Sequence, residues 1–162
     1  MDYSALSSLL FSHIDKTIAD YEKIYPSREL GEDAKVTRFA PSPTGYLHIG
    51  GLFQCVTHEM LAKKPSSVFF LRLEDTDQKR EIENAGDLLY ETLLKFGIEP
   101  SEGYRGNSPE KGLYGPYTQS ERIDIYKTFA KYLVSRGRAY PCFCEKCEDK
   151  EEIVAKREQE IE

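Results

Sequence analysis

His48 stands just ahead of a Gly50-Gly51 pair in the string Arg38-Phe39-Ala40-Pro41-Ser42-Pro43-Thr44-Gly45-Tyr46-Leu47-His48-Ile49-Gly50-Gly51. Pro41 and Pro43 lack an N–H and bias the residue before them toward extended geometry, so no helix runs through this linker. Gly45 permits a positive φ, and Gly50-Gly51 leaves no side chain between the backbone and a ligand at a helix start. The free N–H groups of such a start, with the helix dipole, make an anion site, commonly for phosphate. His48, within a turn of that anion, is placed to donate to phosphate oxygens. The bland alternative is a Pro/Gly surface turn with an incidental histidine, and a short glycine motif does not by itself separate the two. Arg38 precedes the linker in an apolar stretch and needs an anionic partner there, because an unpaired buried charge is very costly. On its own it reads equally as half of a structural ion pair. Glu74 opens the acidic string Glu74-Asp75-Thr76-Asp77. When ionised it is an acceptor-only group, suited to an ammonium, though such acids are as often solvated. Asp75 and Asp77 are expected to fix the turn and cap the next helix.

The elements that must position these groups follow from periodicity. Val36 to Ala40 is a strand candidate. A helix from about Gly50 is expected to bury Leu52, Phe53, Val56, Met60 and Leu61, and to end at Lys63-Lys64-Pro65. Val68-Phe69-Phe70-Leu71-Arg72-Leu73 suits a parallel strand buried on both faces. Strand, helix and strand make a right-handed βαβ unit. Ligands bind at the C-terminal strand edge of such sheets, which gathers Arg38, His48 and Glu74 at one crevice. A second helix carries Ile82, Ala85, Leu88, Leu89, Leu93 and Phe96, with Gly97 as its cap. Residues 101–117 read as turn-rich and polar. Thr118-Gln119-Ser120-Glu121 matches a capping box opening a helix that carries Ile123, Tyr126, Phe129, Ala130 and Leu133 and ends at Gly137. Ahead of all this, Leu6, Leu9, Leu10, His13, Ile14, Thr17, Ile18 and Tyr21 fall near helical spacing, a packing face for one helix and part of another. Residues 145–162 are mostly charged.

The chain has 162 residues and a net charge of −6, which gives no general support for polyanion binding. A basic bias is local to Arg122, Lys127, Lys131, Arg136 and Arg138. No apolar run approaches the roughly 20 residues that span a bilayer, and Met1-Asp2-Tyr3-Ser4 has no basic start of a secretory signal. A cytoplasmic protein without membrane partners, acting as a monomer, is expected. The cluster Cys142-Phe143-Cys144-Glu145-Lys146-Cys147 is no secreted disulfide framework; it reads as metal ligands or as plain thiols.

The whole string from Arg38 to Gly51 resembles the "HIGH" signature region of class I aminoacyl-tRNA synthetases, here His48-Ile49-Gly50-Gly51, and its Arg-Phe-Ala-Pro-Ser-Pro-Thr-Gly lead is similar to that of glutamyl-tRNA synthetases. Glu74-Asp75-Thr76-Asp77 and Gly115-Pro116-Tyr117-Thr118-Gln119-Ser120-Glu121-Arg122 match the same family, over residues 35 to about 145. The resemblance implies an α/β fold: the first half of a Rossmann-like nucleotide-binding domain of parallel strands and crossover helices over residues 35–115. An N-terminal helical extension (1–34) would precede it, and the start of an inserted acceptor-stem-binding domain (116–162) would follow. It implies ATP with Mg2+ at Thr44, His48, Gly50 and Gly51, with His48 catalytic in stabilising charge on the α-phosphate. It implies L-glutamate at Arg38, Ala40, Ser42 and Glu74, Arg38 taking the side-chain carboxylate and Glu74 the α-amino group. Arg122 and Lys127 would face tRNA(Glu), with tRNA(Gln) left open. Some members hold zinc with a Cys-x-Cys pair matched by Cys142 and Cys144, Cys147 being an available third ligand, but tetrahedral zinc takes four.

The family's lysine-rich Lys-Met-Ser-Lys-Ser signature and the rest of the enzyme are not in this sequence, so the chain is expected to be the N-terminal part of a synthetase, inactive alone. Two alternatives stand beside the full glutamate–tRNA ligase. One is a shorter paralogue that glutamylates queuosine in tRNA; the other is a non-catalytic nucleotide- or tRNA-binding module.

Overall fold

The computed structural model describes residues 2–77, 79–80 and 82–143. Four short runs build the sheet, two rich in β-branched and aromatic residues and two bounded by turn residues. Strands β1 (Val36–Phe39) and β2 (Val68–Leu71) pair in parallel, Val36 opposite Val68 and Phe39 opposite Leu71. Helix α3 (Ile49–Leu61) connects them, completing the expected βαβ unit. Strand β3 (Glu102–Arg105) joins β2 in parallel and β4 (Ser108–Lys111) folds back antiparallel, giving the order β1-β2-β3-β4. Helix α4 (Ala85–Lys95) crosses between β2 and β3. Phe39, Phe69 and Leu71 on one sheet face meet Cys55 of α3 and Leu89, Tyr90 and Leu93 of α4 in the core. Burial pushes the Cys55 thiol up to about 12, so it behaves as an apolar side chain.

The other helices form a second layer of contacts. Asp2 caps α1 (Tyr3–Leu10), accepting from Ser4 and Ala5 N–H at 3.0 Å each. Thr17 and Asp20 close a capping box on α2 (Ile18–Ile24). Both pack on α5 (Ile123–Ser135), and Lys131 donates to the Ile14 carbonyl at 2.7 Å.

Several expected faces are shifted. On α3 the buried residue is Cys55, with Leu52 and Ala62 against the core, whereas Phe53, Met60 and Leu61 are 71%, 61% and 53% exposed. The two stripes start one residue apart, about 100° round a helix, and the smaller one faces the sheet. On α4, Ala85, Leu89 and Leu93 are buried but Ile82, Leu88 and Phe96 are exposed; the helix starts only after Asn84, whose φ is +60°. On α5, Thr128 and Val134 are buried in place of Ile123, Phe129 and Leu133. The stretch 101–117 holds the β3–β4 hairpin, and its two-residue turn Gly106-Asn107 is the signal that marks it. No capping box forms at Thr118; a 3₁₀ turn, Ser120–Arg122, precedes α5 instead. Gly97 and Gly137 do end their helices, at φ +72° and +65°. In each, the next residue's N–H returns to a carbonyl of the last turn, Ile98 to Leu93 and Arg138 to Leu133, both at 2.9 Å.

Candidate active site

Helix α3 begins at Ile49, with His48 as its N-cap. The imidazole folds over its own helix start: Nδ1 accepts from the Gly50 N–H at 3.1 Å. A neutral ring bonded this way carries its proton on Nε2, a donor for an anion. Gly50 makes the arrangement fit, since a Cβ there would lie 3.1 Å from both Nδ1 and Cε1 of His48. Beside this helix start opens a cleft of about 440 Å³ that gathers Ala40, Ser42, Thr44, His48 and Gly51. Gln54, one turn along α3, also lines it. Its polar side chain follows the glycine pair at helical spacing, a signal the motif reading passes over.

Arg38 and Glu74 stand apart from that lining and meet each other, Arg38 Nη1 lying 3.2 Å from Glu74 Oε1. What brings them together is continuation of the parallel pairing beyond the strands. Arg72 N–H donates to the Phe39 carbonyl at 3.0 Å and Glu74 N–H to that of Pro41 at 2.9 Å; outside this register, Ile82 N–H donates to the Pro43 carbonyl at 2.9 Å. The two prolines cannot donate but accept freely, so a linker closed to helix still pairs. Arg72, not singled out by its sequence context, reaches the same oxygen of Glu74 at 2.9 Å. The acids that follow have separate tasks. Asp75, buried, accepts from Ser120 N–H and Oγ and so caps the turn before α5 rather than the next helix. Asp77 pairs with Arg80.

Arg122 is turned into the protein. Its Nη1 donates to the carbonyls of Tyr114 (3.1 Å) and Pro116 (2.7 Å), and the guanidinium lies 5.9 Å from the Tyr25 ring. Lys127 on α5 is partly exposed. Cys142 is exposed; Cys144 and Cys147 lie outside the described residues, and the zinc reading with them. Among the described residues no three His, Cys, Asp or Glu gather as a metal site. No helix among them is long and apolar enough to cross a membrane.

A mostly parallel sheet with a histidine-capped helix start at its C-terminal edge is the frame of a class I synthetase nucleotide fold. The family model for the class I tRNA synthetase (E and Q) catalytic domain matches residues 35–162, and the chain belongs to that family. Within it, the chain is 50% identical over 161 residues to a glutamate–tRNA ligase of Clostridium perfringens (strain 13 / Type A), covering 99% of this chain and 29% of that protein. It is 48% identical to the glutamate–tRNA ligase of Acetivibrio thermocellus, again covering 29% of it. The solved glutamate tRNA ligase of Elizabethkingia meningosepticum, in complex with its amino acid, superposes with a TM-score of 0.61 at 35% identity, over 80% of this chain and 25% of that one. The chain thus spans under a third of the length of these relatives.

Proposed function

We propose that this chain is the part of a glutamate–tRNA ligase that carries one side of its amino-acid- and ATP-binding site. The enzyme joins L-glutamate to ATP, giving glutamyl-adenylate and pyrophosphate, and then transfers the glutamyl group to tRNA(Glu). The observation that carries the reading is the Arg38–Glu74 pair, 3.2 Å apart, with Arg38 on the strand that leads into the cleft-lining stretch from Ala40 to His48. One cation and one anion at one place match the side-chain carboxylate and the α-ammonium of glutamate, and a guanidinium takes a carboxylate with two parallel bonds. Ala40 and Ser42 would complete the amino-acid side. On the nucleotide side, Thr44, Gly50 and Gly51 would hold the phosphates. His48 would stabilise the charge that builds on the α-phosphate as the substrate carboxylate attacks and pyrophosphate leaves. No general base is needed, because the attacking carboxylate is already ionised. Positioning and electrostatics then account for most of the rate. Mg2+ would arrive on the ATP phosphates, as that ion prefers.

Residues 1–34 would be an extension, 35–115 the first half of the nucleotide fold and 116–162 the start of the acceptor-stem domain, with Lys127 toward tRNA. Arg122, spent on loop carbonyls, would support that surface from beneath. The enzyme would work as a cytoplasmic monomer. The relatives are named glutamate–tRNA ligases, and no feature favours the queuosine-directed or non-catalytic alternatives.

The test is glutamate-dependent ATP–pyrophosphate exchange by the full-length enzyme that carries this chain. Arg38→Ala is expected to raise KM for L-glutamate about 100-fold or more, with KM for ATP unchanged. An unchanged glutamate KM would refute the carboxylate assignment.

A further inference from the structure

A single carboxylate oxygen, Glu74 Oε1, carries two guanidiniums: Arg72 Nη2 at 2.9 Å and Arg38 Nη1 at 3.2 Å. Sheet register dictates this. Arg38 stands opposite Phe70, and alternation along the extended chain puts Phe70, Arg72 and Glu74 on the same face. The two arginines are not equivalent. The Arg38 side chain is 44% exposed and that of Arg72 only 18%. Arg72 lines a small cavity with Val36, Phe70, Tyr117, Arg28 and Arg122, and its Nε is buried without a hydrogen-bond partner. The neighbouring cations are committed elsewhere, Arg28 to Glu102 and Arg122 to backbone carbonyls. Glu74 is thus the acid that answers Arg72.

We propose that Arg72 is a positioning residue for recognition of the substrate amine, holding Glu74 in place when the substrate carboxylate takes Arg38. This rests on the reading of Arg38 and Glu74 given above. Without substrate, Glu74 occupies the guanidinium that the substrate needs, so Arg38 and Glu74 form a clasp that must open. A carboxylate held by Arg38 alone would follow it when the substrate takes that guanidinium. With the buried Arg72 on the same oxygen, Glu74 stays aimed while its exposed partner changes.

Glutamate-dependent pyrophosphate exchange in the full-length enzyme tests this. Arg72→Ala is expected to raise KM for L-glutamate about 10- to 100-fold with KM for ATP unchanged, and Arg72→Lys to recover part of the loss. In a Glu74→Gln background, Arg72→Ala should add less than about twofold, because its partner is already gone. Inhibition by glutarate, which has both carboxylates but no amine, should be weakened by Arg38→Ala and kept by Arg72→Ala. Equal losses of glutamate and glutarate binding in Arg72→Ala, full additivity with Glu74→Gln, or an unchanged glutamate KM would each overturn the proposal. If Arg72→Ala does not fold, Arg72→Met keeps the stem's packing and gives the same comparison. Absence of exchange in the parent enzyme would overturn the ligase reading and this role together. Exchange that responds to Arg38→Ala but not to Arg72→Ala would overturn this role alone.

Discussion

The position of His48 turns on the absence of one carbon atom. With the ring folded onto the Gly50 N–H at 3.1 Å, a Cβ at residue 50 would press on it at 3.1 Å from two ring atoms. Contacts that short force the neighbour to move, and the imidazole is the part free to do so. Gly50→Ala is therefore expected to misplace the donor at Nε2 and lower kcat for glutamate-dependent exchange about 100-fold, in the range of losing one oriented donor. KM for L-glutamate should be unchanged, as steady-state kinetics will check. The residues of this site divide cleanly by how they can be read. Arg38, His48 and Glu74 lie in local strings whose chemistry is written in adjacent residues. The partners of Arg72 and Asp75 are not, because a pairing such as Asp75 with Ser120 exists only after segments far apart in sequence are brought together.

At the level of elements, the βαβ unit was readable because β1, α3 and β2 each carry their own period and punctuation. The choice of face was not. Leu52 and Phe53 are neighbours in sequence and both apolar, and the side that turns inward is fixed by where α3 sits on the sheet. The turn before α5 teaches the same lesson, since Thr118 looks like a helix cap while the Ser120 N–H finds its acceptor in Asp75, on the loop after β2. Asp75→Ala leaves the Ser120 N–H and hydroxyl without their acceptor. It should lower stability by about 2 kcal/mol and the thermal midpoint by roughly 4–8 °C. Asp75→Asn, which keeps one acceptor oxygen, should recover part of this. Calorimetry of the two variants beside the parent checks the ordering.

Over the whole molecule, the segment ahead of β1 is stitched to β3 and to the loop after β4. Tyr25 Oη donates to the Gly115 carbonyl at 2.6 Å, and Tyr114 Oη donates to the Pro26 carbonyl at 2.9 Å. Arg28 makes two bonds of 2.7 Å to Glu102 of β3 while its guanidinium lies 3.8 Å over the Tyr114 ring. None of this has a period to read, which is why the sequence suggests only a packing face over residues 6–21, of which Ile14, between α1 and α2, and Tyr21 are buried and Leu9 is not. The Arg28 hydrogen bonds, opposed by burial and helped by the Tyr117 hydroxyl, hold the Glu102 carboxyl below its usual value of 4.5. A depressed carboxylate stabilises the fold fully above that usual value, and the contribution is lost as pH falls through the lower folded value. Glu110 acts in the opposite sense, since burial raises its pKa and its charge therefore costs stability once it ionises. Removing the pair tests the seam itself. Arg28→Met should lower stability at about pH 7 by roughly 2–4 kcal/mol, because it leaves a part-buried carboxylate without its cation. That deficit should shrink as pH falls below 4.5 and through the lower folded value, where Glu102 is protonated in the parent as well. Urea midpoints of parent and variant across that range decide the matter. A deficit of constant size would mean that Arg28 holds the seam through its stacking on Tyr114, not through Glu102.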